Sequence, residues 1–150
     1  MQNKDIRILN KLQTAYPLVK RPYLKLAKQI GLSERDVFKK ISAFRKKKII
    51  RRIGPVFNNE KIGYKTTLIA MKVPAGQVKA ASQIINRIPY VSHNYLRDGE
   101  YNIWFTISAS TQKELKQLIR VICRKTKISD ILNLPAEQMF KINTNFNVKI

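Results

Sequence analysis

An α+β chain in two parts, three short helices followed by a β-α-β-β-α-β succession, is what this sequence predicts, and three observations predict it. Apolar residues recur at helical spacing through the first fifty residues. The period then changes to strand-like alternation at about residue 66, and amphipathic helical stretches separate the strands that follow. The length of 150 residues admits one ordinary domain or two small ones. With 44% apolar and 26% charged residues, the composition is that of a folded globular protein.

The first helix is expected over roughly residues 4–14, where Ile6, Leu9 and Leu12, with Ile8 beside them, form an apolar stripe. Pro17 and Lys20-Arg21-Pro22 close it and open the second, with Pro22 suited to a first helical turn. Leu24, Ala27 and Ile30 lead to Gly31, and Ser33 is a good N-cap for a third helix whose first turn carries Glu34 and Asp36. Val37, Ile41 and Phe44 form its apolar stripe. Three helices with a tight turn around Gly31 read as a helix-turn-helix, and Ile49–Phe57 reads as the wing of a winged version.

The second part opens with a strand over Thr66–Val73, with Thr67, Ile69, Met71 and Val73 on one face and Leu68 and Ala70 on the other. A strand apolar on both faces should be covered on both. Gln77–Ile88 reads as a helix with Val78, Ala81, Ile84, Ile85 and Ile88 inward. Val91–Arg97 and Asn102–Ser108 read as a hairpin around Asp98-Gly99-Glu100. Thr111 caps a helix to about Lys125, with Leu115, Leu118, Ile119 and Ile122 inward, and Ile128–Leu134 and Gln138–Ile142 read as extended. The order is that of a ferredoxin-like fold. The expected domains are a winged helix-turn-helix over residues 1–60 and a ferredoxin-like ligand-binding or catalytic domain over residues 61–150.

Thirty Lys and Arg against nine Asp and Glu leave a net charge of +21, which points to a polyanionic partner: nucleic acid, an anionic membrane, or a ligand rich in carboxylates or phosphates. Residues 1–60 hold 16 basic and 4 acidic residues, and residues 61–150 hold 14 and 5. Abundant Ile, Asn and Lys match the bias of an AT-rich genome, which accounts for scattered lysines but not for clustered arginines. One cysteine, Cys123, excludes an internal disulfide and a thiolate zinc site, and reads as a small core residue. One histidine, His93, excludes a multi-histidine metal site within the chain. No apolar run approaches the length of a membrane span, and the N-terminus lacks signal-peptide architecture, so a cytoplasmic protein is expected.

Two constellations carry candidate chemistry. Strand alternation places Val91, His93, Tyr95 and Arg97 on one face, an odd row for a core and a sensible one for a polar pocket or a subunit interface. Ile103, Phe105 and Ile107 face the helices, so Asn102, Trp104 and Thr106 share the open side with that row. A hydrogen-bonded histidine at an interface explains His93 as well as a functional role does. Interface packing is the plainer account of Tyr95 and Trp104, and an ion pair with Asp98 or Glu100 is that of Arg97. The second constellation is Arg45–Arg52, six of whose eight residues are basic. Complementing a helix dipole accounts for Lys46–Lys48. It does not account for Arg51-Arg52-Ile53-Gly54-Pro55, where paired arginines suit bidentate capture of carboxylate or phosphate.

From about Asp5 to Phe146 the chain resembles the leucine-responsive regulatory protein/AsnC architecture, and within it the sirohaem decarboxylases of the alternative haem biosynthesis route in archaea and sulfate-reducing bacteria. The residues that carry the resemblance are Arg51-Arg52-Ile53-Gly54-Pro55, Gly63-Tyr64, Val91-Ser92-His93-Asn94-Tyr95-Leu96-Arg97, Tyr101-Asn102-Ile103-Trp104-Phe105 and Phe140-Lys141. It implies removal of two acetate carboxyls of sirohaem as carbon dioxide, giving 12,18-didecarboxysirohaem. It also implies an alpha-type subunit with a paralogous beta partner, and a helix-turn-helix that is inherited scaffold. The implied catalytic residues are His93, Tyr95 and Arg97. The implied substrate-binding residues are Arg51, Arg52, Tyr101, Trp104 and Lys141. No resident metal and no cofactor beyond the iron-containing tetrapyrrole are implied, although His93 could contact the sirohaem iron. A second histidine often ends the strand after the hairpin in this family, where this chain has Ser108-Ala109. The rival readings are a transcription regulator using Arg35, Lys39, Lys40 and Arg45 on DNA, and a haem-responsive sensor. A membrane-surface role is disfavoured, because the basic residues form no amphipathic helix with a large apolar face.

Overall fold

A computed structural model describes residues 3–141, 145, 146, 148 and 149. They form two compact units, Met1–Pro55 with Lys141–Ile150, and Val56–Phe140. The C-terminal residues, expected with the second domain, group with the first unit. Asn10 exchanges hydrogen bonds with the Val148 backbone and Gln13 with that of Phe146.

In the first unit, α1 (Asn3–Thr14), α2 (Pro22–Ile30) and α3 (Glu34–Lys46) enclose a small core of Ile8, Leu9, Leu26, Ala27, Ile30, Val37, Ile41 and Phe44. Ile8 and Leu26 take the deepest places expected of Ile6 and Leu24, because packing turns each helix by part of a turn relative to the three-residue pattern. Pro22 stands in the first turn of α2, and Gly31 ends that helix in the left-handed region at φ 69°, where an L side chain is strained. The Ser33 hydroxyl accepts the Asp36 N–H at 3.1 Å and so caps α3. Ser33→Ala should lower stability by about 1 kcal/mol in a denaturant titration.

The expected wing carries no strand pairing. After Lys47 the chain runs through turns and bends and then without regular secondary structure to Phe57. Pro55 removes one ladder donor, and Arg51 and Arg52 are both exposed, so the in-out alternation of a half-buried hairpin is missing.

The second unit is a four-stranded sheet with two helices on one face. Its strands are β1 (Lys65–Met71), β2 (Val91–Leu96), β3 (Ile103–Ala109) and β4 (Ile131–Pro135), and its helices are α4 (Val78–Asn86), preceded by a single 3-10 turn, and α5 (Gln112–Thr126). The order β2-β3-β1-β4 with every pair antiparallel is the ferredoxin-like topology. Ile69, Met71, Ile103, Phe105 and Ile107 meet Ala81, Ile85, Leu115, Ile119 and Ile122 in one apolar core. Cys123 packs against that core, and burial pushes its thiol above the ordinary value. Thr111 caps α5 by accepting the Glu114 N–H.

The last strand begins later than expected. Lys127 adopts the left-handed region at φ 58° and Ile128 remains buried beneath the end of α5, so pairing starts only at Ile131 and runs through Pro135 opposite Thr67. Residues 138–141 form no strand, and Ile142 lies outside the described residues.

Candidate functional site

The helices leave the other face of the sheet open, and the side chains there are set by register. Across β2 and β3, His93 stands opposite Thr106 and Tyr95 opposite Trp104. Across β3 and β1, Thr106 stands opposite Leu68, Trp104 opposite Ala70 and Ser108 opposite Thr66. Leu134 and Leu132 on β4 complete the first two rows. The four strands span about 14 Å from β2 to β4 at ordinary strand spacing. One side of this face is polar and aromatic, and the other is aliphatic. Tyr95 on β2 and Leu132 and Leu134 on β4 are exposed, so this face is uncovered at its flanks within a single chain, while on β1 Leu68 is half-buried and Ala70 buried.

The row expected on β2 is altered at its start. A bulge at Ser92 interrupts the ladder, so Val91 pairs with Ile107 and packs on the helix side, away from His93. The bulge leaves the Ser92 hydroxyl 3.0 Å from Nδ1 of His93. The His93 and Tyr95 rings then lie nearly parallel, 6.1 Å apart with 22° between their planes. Either atom can be the donor in the Ser92–His93 contact, which occupies Nδ1 while leaving Nε2 for other partners. Asn94 faces the helices instead, donating to Ser82 at 3.1 Å and to Asn86 at 2.8 Å.

Arg97 makes no ion pair with Asp98 or Glu100 among the described residues. Its guanidinium lies over the Trp104 ring, 5.3 Å from the centroid, and Glu100 pairs with Lys72 at 2.5 Å. The Trp104 indole N–H donates to the Tyr101 carbonyl at 2.7 Å, and the Tyr101 hydroxyl donates to Asp130 at 2.9 Å. The carboxylate that accepts its proton holds the Tyr101 phenol above its ordinary value. Asn102, expected to offer its amide on the open side, spends it on both backbone groups of Val73. The Asp130 contact left no mark in the sequence pattern, since nothing local links a turn tyrosine to an acid 29 residues on.

The face therefore gathers His93, Tyr95, Arg97 and Trp104, with Tyr101 at its hairpin end. Arg51, Arg52 and Lys141 belong to the first unit. There Arg51 lines a cavity with Ser42, Arg45, Lys46 and Ile50, Arg52 donates to the Pro55 carbonyl at 3.2 Å, and Lys141 is exposed. On α3, Arg35, Lys39 and Arg45 are exposed, whereas Lys40 is tied to Asp5 at 2.6 Å. Of the two residues that end β3, Ser108 is on the open face, 2.8 Å from the Thr66 hydroxyl, and Ala109 is buried in the core. No cluster of three or more metal-ligating side chains occurs among the described residues, and no helix there is long and apolar enough to cross a membrane.

Residues 61–141 match the model of the AsnC-like ligand binding domain, and residues 5–51 match that of the siroheme decarboxylase NirDL-like HTH domain. A protein of Desulfovibrio desulfuricans named siroheme decarboxylase alpha subunit is 39% identical over 148 residues, which cover 99% of this chain and 85% of that protein. The chain belongs to the siroheme decarboxylase family. Among solved structures of the family, siroheme decarboxylase NirDL in co-complex with an iron-uroporphyrin III analogue is similar at 31% identity and a TM-score of 0.67, over 95% of this chain and 48% of that one. Escherichia coli AsnC, at 21% identity and a TM-score of 0.74 over 96% of this chain and 97% of that one, shares the fold.

Proposed function

We infer that this chain is a carboxy-lyase that removes the two acetate carboxyls of sirohaem, giving 12,18-didecarboxysirohaem for haem biosynthesis. The observation that carries the reading is the convergence of one imidazole, two phenols, one indole and one guanidinium with no ion pair among the described residues on an open sheet face of a chain in this family. The aromatic and aliphatic rows suit a flat macrocycle, and Arg97 suits one of its carboxylates. Arg51, Arg52 and Lys141 are proposed as further carboxylate contacts.

When the bond between an acetate methylene and its carboxylate breaks, carbon dioxide leaves and the electron pair stays on the methylene, conjugated with the macrocycle. A proton then completes the methyl group, so each step consumes one proton and no electrons change hands. His93 is proposed as the proton donor, oriented by Ser92 and flanked by Tyr95. The reading calls for no cofactor besides the substrate itself. Its partner is a second, beta-type subunit, a role suggested by the alpha-subunit name of the relative and by the uncovered leucines of the open face. A chain whose one cysteine sits against its core needs no oxidising compartment, and we place it in the cytoplasm.

The test is anaerobic incubation with sirohaem, with and without a candidate partner, followed by product mass analysis. Loss of two carbon dioxide masses is the expected result. Tetrapyrrole bound without mass loss would make the chain a sensor. Retention of specific duplex DNA in its place would make it a regulator.

A further inference from the structure

We propose that Asp130 is a positioning residue for Arg97, acting through Tyr101 and Trp104 to hold the guanidinium ready for a substrate carboxylate. This rests on the reading of Arg97 given above. An arginine on an exposed strand end ordinarily samples many rotamers and pairs with whatever acid is near. Here the two acids nearest in sequence do not take it. Glu100 is held by Lys72 at 2.5 Å, and Asp98 makes no ion pair with Arg97 among the described residues. The cation rests on an indole instead, which binds it without neutralising it.

That arrangement works only if the indole is itself fixed. Trp104 has its N–H on the Tyr101 carbonyl at 2.7 Å, and Tyr101 is anchored by its hydroxyl to Asp130 at 2.9 Å. Asp130 is in turn registered against the end of β1, its carbonyl accepting the Lys72 N–H at 3.1 Å. The hairpin is closed from the other side by the Arg97 N–H to the Asn102 carbonyl at 2.8 Å. One carboxylate at the start of β4 therefore steadies a cation at the end of β2, two strands beyond its own neighbour. A guanidinium fixed in this way loses less rotamer freedom when it binds an anion.

The chain's only tryptophan is Trp104, so intrinsic emission reads this ring alone. The experiment measures that emission in this chain alone, free of substrate, and the Kd for iron-uroporphyrin III from the shift of its Soret absorption in the partnered assembly. For Asp130→Ala and Tyr101→Phe, a shifted emission and a Kd weakened about fivefold to tenfold are expected. Asp130→Asn keeps an acceptor for the phenol and should stay near the parent in both readouts. In turnover, the Asp130→Ala defect should fall on KM rather than kcat. An emission shift with unchanged Kd would make the latch merely structural and overturn the proposal. So would an unmoved emission, or an Asp130→Asn variant as weak as Asp130→Ala. Because the probe is bound and not turned over, failure of the decarboxylase reading leaves these outcomes legible and is seen separately, as absence of mass loss.

Discussion

Replacing His93 by alanine should lower sirohaem decarboxylation by about 100- to 10,000-fold, the range expected when a positioned proton donor is removed. The fall should come without loss of fold. His93 is exposed, its side chain's one hydrogen bond among the described residues is with Ser92 on the same bulge, and its ring contact with Tyr95 is a 6.1 Å stack on the surface. Binding of the tetrapyrrole should survive as well, since the guanidinium on Trp104 is held by a separate set of contacts. The measurement is single-turnover decarboxylation under anaerobic conditions with the partner present, alongside the absorption spectrum of bound sirohaem. A slow rate with an unchanged iron spectrum assigns His93 to proton donation. A slow rate with a changed spectrum assigns it to iron. An undiminished rate removes it from the chemistry altogether.

Features governed by neighbouring residues could be read directly from the sequence. Ser33 and Thr111 cap their helices because a short hydroxyl three residues ahead of a free N–H is a local arrangement. Ile103, Phe105 and Ile107 alternate inward because β3 is central and covered by helices on one face. The candidate face was legible to the same extent: that His93, Tyr95, Trp104 and Thr106 share it follows from alternation once β2 and β3 are paired.

What depended on partners distant in the sequence was not legible. The bulge that sends Val91 to the core is a property of how β2 meets β3, and the six residues of β2 alone cannot reveal it. The return of the C-terminal residues to α1 rests on Asn10 and Gln13 finding a backbone more than 130 residues away. The latch through Asp130 is of the same kind, and so is the Lys40–Asp5 pair that removes one cation from the exposed face of α3. The charge of +21 was a sound pointer to an anionic partner. Which cations are free to meet that partner became clear only when the pairs were known.

The largest effect on stability should come from Phe105→Ala, with a loss of about 3–5 kcal/mol. Phe105 is 1% exposed and lies in the middle of β3, between Ile69 of β1 and Asn94 of β2 in the ladder, with the helices closing over it. Truncation leaves a void that the strand cannot close, because its neighbours on the same face, Ile103 and Ile107, are themselves fully packed. The consequence reaches the site by geometry. Trp104 and Thr106 flank Phe105 in sequence and point to the open face, so loosening the core beneath them loosens the floor on which His93, Tyr95 and Arg97 are arrayed. Urea titration followed by Trp104 emission should therefore show an earlier midpoint, with decarboxylation declining at temperatures where the parent is stable. Phe105→Leu, which keeps most of the volume, should recover the larger part of both losses. An alanine variant as stable as the parent would mean that the sheet and its helices are not held together by this core.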